Sequence, residues 1–184
     1  MSPTTYIPDV VTLGTGLLLA RLILGALMVG HGAQKLFGWF GGYGIAGTAG
    51  FFEQLGFRPG RLFVITAAAS EVASGLLIAL GLLGPVGPAL LLSVMIVAAI
   101  SVHWKNGVFA TANGIEVPLL YAAGAVALAF TGPGPFSLDA ALGIDSAWTP
   151  GIKAVALAIG AAGGVLNLLA RRSVPVNATA KAGA

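Results

Sequence analysis

Six ionisable side chains stand within or at the ends of long apolar runs: Arg21, His31, Lys35, Glu71, His103 and Glu116. Charged and protonatable groups are costly at membrane depth, so each is a candidate site residue that needs a partner. Two imidazoles, an ammonium and carboxylates can donate and accept hydrogen bonds and exchange protons near neutral pH, as the reduction and oxidation of a quinone require. At about 100° per residue, Lys35 lies about 40° and His31 about 80° from Arg21 around one helix, so the three share a face. Gly25 and Gly32 fall on that face and let a second helix or a flat ligand approach the backbone. Estimated depths predict an ion pair between Arg21 and Glu71 near mid-membrane, and a second group of His31, His103 and Glu116 nearer one surface. The expected assignment is His31, Glu71 and His103 for proton handling, with Arg21, Gly32, Lys35 and Glu116 binding the ligand.

The same residues admit plainer roles. A buried Arg21 and Glu71 pair fixes the register of two helices, and Lys35, His103 and Lys105 can anchor span ends by snorkelling to the headgroups. Trp39, Trp104 and Trp148 read as interfacial belt residues. The chain has no cysteine, which excludes disulfides, thiolate metal sites and CxxC redox chemistry within it. Signatures of nucleotide binding, zinc proteolysis and serine hydrolysis are missing, and no metal site is expected. Two histidines match the ligand count of a bis-imidazole haem, with Arg21 or Lys35 near its propionates. Haem is the less favoured reading, since the facing residues must leave room for it.

The elements that must position these groups follow from composition. Of 184 residues, 57% are hydrophobic and 8% charged, with a mean hydropathy of +0.96. A soluble domain carries about 25% charged residues, so this chain cannot cover a water-facing surface. The net charge of +3 is scattered between apolar runs and forms no basic patch for nucleic acid. Five apolar segments, 11–36, 62–84, 86–104, 117–132 and 152–170, approach the ~20 residues that cross a bilayer, the fourth being the shortest. The opening residues lack the basic region of a signal peptide, so the first segment is expected to remain as a span. The expected organisation is an N-terminal segment 1–10, a four-helix membrane core 11–140 with an interfacial loop 38–61, then an external loop and fifth transmembrane helix 141–170, and a loose tail 171–184. The fold class is all-α integral membrane.

Gly84, Pro85, Gly87 and Pro88 predict a tight hairpin between the second and third spans. Thr48 is the expected N-cap of a short interfacial helix over FFEQL, and Ser137 that of LDAAL. Lys35, Arg58, Arg61, Lys105, Arg171, Arg172 and Lys181 fall on one side of a five-span chain, which the positive-inside rule makes the cytoplasmic side. The N-terminus is then outside and the C-terminus inside. The Ala- and Gly-rich fifth span suits tight contact with a partner or a second copy.

Four stretches, RLILGALMVGHGAQKLFG, SEVASGLLIALGLLGP, HWKNGVF and NGIEVPLLYAAGAVALAFTGPGPFSLD, together resemble the DoxX family of bacterial membrane proteins over roughly residues 15 to 140. The family pattern maps onto Arg21, Gly30, His31, Lys35, Glu71, His103, Asn106, Gly107, Glu116 and Asp139. The resemblance implies a four-helix core in the bacterial plasma membrane and an association with redox metabolism. Relatives are described as subunits of a thiosulfate:quinone oxidoreductase and as membrane partners of enzymes of thiol and oxidative stress. It implies a non-autonomous subunit that interacts with quinone, a soluble or membrane redox partner, or both. A non-catalytic scaffold that recruits soluble redox enzymes and a small transporter or channel are the alternatives. The fifth span departs from the family's usual core.

Overall fold

The computed structural model of the chain describes residues 9–172. Those residues are helical throughout their ordered elements, with no strand among them. Four helices are long and apolar enough to cross a membrane: α1 (Val10–Phe37), α3 (Gly60–Leu80), α4 (Val86–Ala98, which continues through two further turns to Asn106) and α7 (Pro150–Leu169). Between α1 and α3 lies α2 (Gly44–Gln54), and α5 (Glu116–Thr131) is an apolar helix of 16 residues. At 1.5 Å per residue α5 extends about 24 Å, short of the ~30 Å of hydrocarbon. A single short turn of helix, α6 (Leu138–Leu142), follows it. The expected tail 171–184 lies outside the described residues beyond Arg172.

The helices form a bundle in which α1 packs chiefly on α3, α3 also on α4, and α4 on α7 and α5, with α5 touching α1 and α7 as well; Met28, Ile78, Leu91, Met95 and Ala125 make its core. Small residues set these approaches. A Cβ on Gly25 would lie 2.5 Å from the Gly75 carbonyl oxygen, and one on Gly75 would lie 2.6 Å from that of Gly25. The Gly32 face is filled by Val72 and the Ala68 carbonyl. Residues 25 and 75, and 32 and 68, therefore lie at equal depth in an antiparallel pair. Only backbones without Cβ atoms come this close, as expected where van der Waals packing rather than the hydrophobic effect holds helices together.

The glycine face of α7 is occupied within the chain. A Cβ on Gly160 would collide with the Ala89 carbonyl, and one on Gly164 would lie 2.9 Å from that of Ser93. The stripe read as a docking face for a partner is thus the seam of α7 against α4. The far end of α7 is tied down too. Arg171 Nε donates to the Leu55 carbonyl at 2.8 Å, the Arg172 N–H donates to the Gly56 carbonyl at 2.8 Å, and the Arg171 guanidinium lies over the Phe57 ring at 5.6 Å.

The expected cap at Thr48 is replaced by an earlier start. Tyr43 precedes the first turn of α2, which places Thr48 in mid-helix with its side chain buried. The glycines at 44, 47 and 50 do not stop the helix, because its inner face packs on α3. At Ser137 the cap is as expected: its hydroxyl oxygen accepts the Ala140 N–H at 3.2 Å.

Candidate functional site

The two ends of the bundle separate the polar residues into two groups. At the end that carries Val10, Arg21 is 2% exposed and donates to the Phe136 carbonyl beside Asp139, which is fully buried. Asp139 accepts the backbone N–H groups of Leu83 at 2.8 Å and Gly84 at 2.7 Å, and the Trp148 indole N–H at 2.7 Å. These bonds hold Leu83 in the left-handed region, at φ 58°, where a residue other than glycine is disfavoured. Trp148, expected in the interfacial belt, is half-buried and braces the α3–α4 turn through this bond, whereas Trp39 and Trp104 are exposed. This group is architectural: it pins α1, the α3–α4 turn and α6 together.

At the other end Glu71 pairs with Lys35, not with Arg21. Lys35 Nζ donates to both carboxylate oxygens, at 2.7 and 2.8 Å. The predicted pairing of Arg21 with Glu71 fails first on the register of the two helices. Since residues 25 and 75 are level, Arg21 is level with residue 79, two turns or about 12 Å from Glu71. Helical side chains also lean toward their own N-terminus, which in antiparallel helices drives Arg21 and Glu71 apart. The same lean brings Lys35 and Glu71 together. Lys35 reaches back a full turn, so that its ammonium also lies 3.5 Å from the His31 carbonyl.

Lys35 and Glu71 form one wall of a cavity of about 260 Å³. His103, Ser70, Ser93, Ser101 and Asn167 add polar groups to its lining, and Phe51, Phe52, Phe57 and Phe63 supply aromatic surface. Such a composition, apolar with a few convergent polar groups, is typical of a small-molecule site. One wall of the cavity changes helix type. The last turns of α4, Ala99–His103, are wound as a π-helix, whose extra residue per turn re-aims side chains and recurs at functional sites. Ser101 and His103 lie in that stretch. Ser101 Oγ is buried and has no hydrogen-bond partner among the described residues. Ser74, one turn beyond Glu71, instead closes on its carbonyl at 3.0 Å.

The loop after α4 fixes His103. Its Nδ1 lies 2.8 Å from the Asn113 carbonyl, to which Asn106 Nδ2 also donates at 3.2 Å. A carbonyl oxygen only accepts, so Nδ1 carries the proton and Nε2 of the neutral ring keeps its lone pair. Asn113 takes the left-handed conformation, φ 59°, that ends this loop turn. Glu116 accepts the Ala110 N–H at 2.7 Å and serves the same loop. It is not among the residues lining the cavity.

Of the residues predicted to act, the cavity brings together Lys35, Glu71 and His103. His31 is one turn from Lys35 but faces elsewhere, with Nδ1 3.2 Å from Gln34 Oε1 and its ring edge-on to Tyr121 at 6.0 Å between centroids. It lines a separate shallow groove beside Trp39 and Phe40. Gly32 is filled by α3, and Arg21 lies at the opposite end. Ser70, Ser93, Ser101 and Asn167 escaped the search for ionisable groups. Their signal is plain in the sequence all the same, as uncharged polar residues inside apolar spans. Among the described residues no cluster of three or more His, Asp or Glu side chains could hold a metal.

The arrangement can hold a flat polar ring among aromatic and hydroxyl groups, accept a proton at His103 Nε2 and donate one from the Lys35 ammonium. A groove along α2, lined by Gln34, Tyr43, Thr48 and Gln54, shares Lys35, Phe51 and Phe52 with the cavity and adjoins it. Compared with known proteins, the chain matches the DoxX family model over residues 16–104. This covers α1 to the π-wound end of α4, and so includes Lys35, Glu71, Ser101 and His103. No curated protein and no solved structure matches the chain.

Proposed function

Taking the chain as a DoxX-family multi-pass membrane protein, we propose that its cavity binds a quinone head group and that the chain serves as the membrane subunit of a redox system. The observation that carries this reading is the convergence of the Lys35 and Glu71 ion pair, His103 and the unpartnered Ser101 hydroxyl on one aromatic-lined cavity between apolar helices. Reduction of a quinone to a quinol consumes two electrons and two protons. The chain has no cysteine, and in this reading a partner oxidoreductase supplies the electrons. The protons are the task of this chain's side chains. Lys35 donates one to a ring oxygen and is reprotonated through the polar groove along α2, while His103 first takes up a proton from water at Nε2 and then donates it to the second ring oxygen on the side of the π-wound turn.

Within this reading Glu71 orients Lys35, and Arg21 and Asp139 hold the scaffold. The donor oxidoreductase acts in sulfur or oxidative-stress metabolism, in keeping with the family resemblance. The side with the α1–α2 loop, which carries most of the basic residues, faces the cytoplasm. Binding of a short-chain ubiquinone to the purified chain in lipid nanodiscs tests the proposal. Saturable binding that weakens at least tenfold in H103L and K35M supports it. Binding that never saturates, or that both variants leave intact, refutes it.

A further inference from the structure

We propose that Asn167 is a ligand-binding residue of this cavity, its carboxamide hydrogen-bonded to the ring oxygen that faces away from Lys35 and Glu71, so that α7 is a wall of the site. The inference rests on the quinone reading above. It concerns a helix that the family match over residues 16–104 does not reach.

Three observations carry it. Asn167 is the one polar side chain in α7 beyond Lys153, and it lies on the cavity. With Gly160 and Gly164 it occupies one helix face, at spacings of four and three, and those glycines seat α7 on Ala89 and Ser93 of α4. The two helices run parallel, which sets Asn167 beside residues 96–97 and one turn before Ser101. Lys35 on α1 and Asn167 on α7 also reach the same cavity from two helices with different main packing partners, α3 for α1 and α4 for α7. A ring with oxygens on opposite edges spans such a site. Finally, the end of the helix that carries Asn167 is held in place. Two bonds from Arg171 and Arg172 to Leu55 and Gly56, and the stacking on Phe57, fasten the end of α7 to residues that line or adjoin the cavity.

The chemistry of the amide suits both redox states. Its NH₂ donates to a quinone carbonyl, and its carbonyl accepts from a quinol hydroxyl, as the Ser101 hydroxyl also can. Neither state leaves a ring oxygen unpaired, so the site does not favour one by default.

The full chain in lipid nanodiscs, with a short-chain ubiquinone labelled with carbon-13 at its carbonyls, tests this. N167L retains an apolar helix and is expected to weaken binding about tenfold, the worth of one hydrogen bond of ~1.4 kcal/mol. It should also move one carbonyl stretch in the infrared difference spectrum to higher frequency, which a merely structural role would not do. N167S, too short to reach the ring, is expected to show the same shift. Wild-type affinity and unchanged carbonyl bands in both variants overturn the role of Asn167 while leaving the quinone reading intact. Failure of the wild-type chain to bind the quinone at all overturns both.

Discussion

Replacing Lys35 by Met tests the pairing on which the site is built. Glu71 is 5% exposed at its side chain and Lys35 23%. Removing the ammonium leaves a buried carboxylate uncompensated, a loss of about 3–5 kcal/mol. The reverse change, E71Q, leaves an ammonium near the end of α1 that can extend toward the headgroups, so its cost is nearer 1–2 kcal/mol. The double variant K35M/E71Q has no charge to bury, and the two changes should couple by about 2 kcal/mol. Arg21, about 12 Å from Glu71 in depth, should not couple: R21K and E71Q are expected to add within about 0.5 kcal/mol. Reversible unfolding of the purified chain in mixed micelles, followed by helical circular dichroism, gives the four free energies of each cycle. Coupling of Glu71 to Arg21 that exceeds its coupling to Lys35 would refute the assignment and restore the mid-membrane pair.

Other substitutions probe the frame. G75V should cost about 1–3 kcal/mol or prevent assembly, because its side chain meets the Gly25 carbonyl and Val29, whereas G16V, which meets nothing, should leave the melting temperature unchanged. D139N should lower stability by about 1–3 kcal/mol by disturbing the bonds to Leu83, Gly84 and Trp148, and W148F by about 1 kcal/mol; thermal unfolding monitored by tryptophan fluorescence distinguishes them. A fluorescent-protein fusion at the C-terminus should glow and an alkaline phosphatase fusion there should be inactive; the opposite pair of results reverses the orientation.

Much of this architecture is legible in residue order. The apolar runs mark all five helices of the bundle, and the Gly-Pro cluster marks the α3–α4 turn that Asp139 secures. Ser137 caps α6 as its type suggests. Lys35, Glu71 and His103 stand out because charge in an apolar run is rare. What is not legible depends on direction rather than identity. The register of α1 against α3 sets Arg21 two turns from Glu71, the lean of helical side chains toward their N-termini joins Lys35 to Glu71, and counting residues along a span shows neither. No residue in Ala99–His103 announces a π-wound turn, which arises from packing and determines where Ser101 and His103 point. The glycines of α7 advertise close approach without saying to what, and the partner is α4 of the same chain.

Photolabelling of the full chain in lipid with an azido-quinone, followed by peptide mapping, tests the central claim most directly. Labelling is expected in peptides that contain Phe51–Phe63, Ser101–His103 and Asn167, and excess unlabelled quinone should abolish it. Labelling spread along lipid-facing positions such as Leu19, Ile23 and Leu27, and insensitive to competitor, would contradict it.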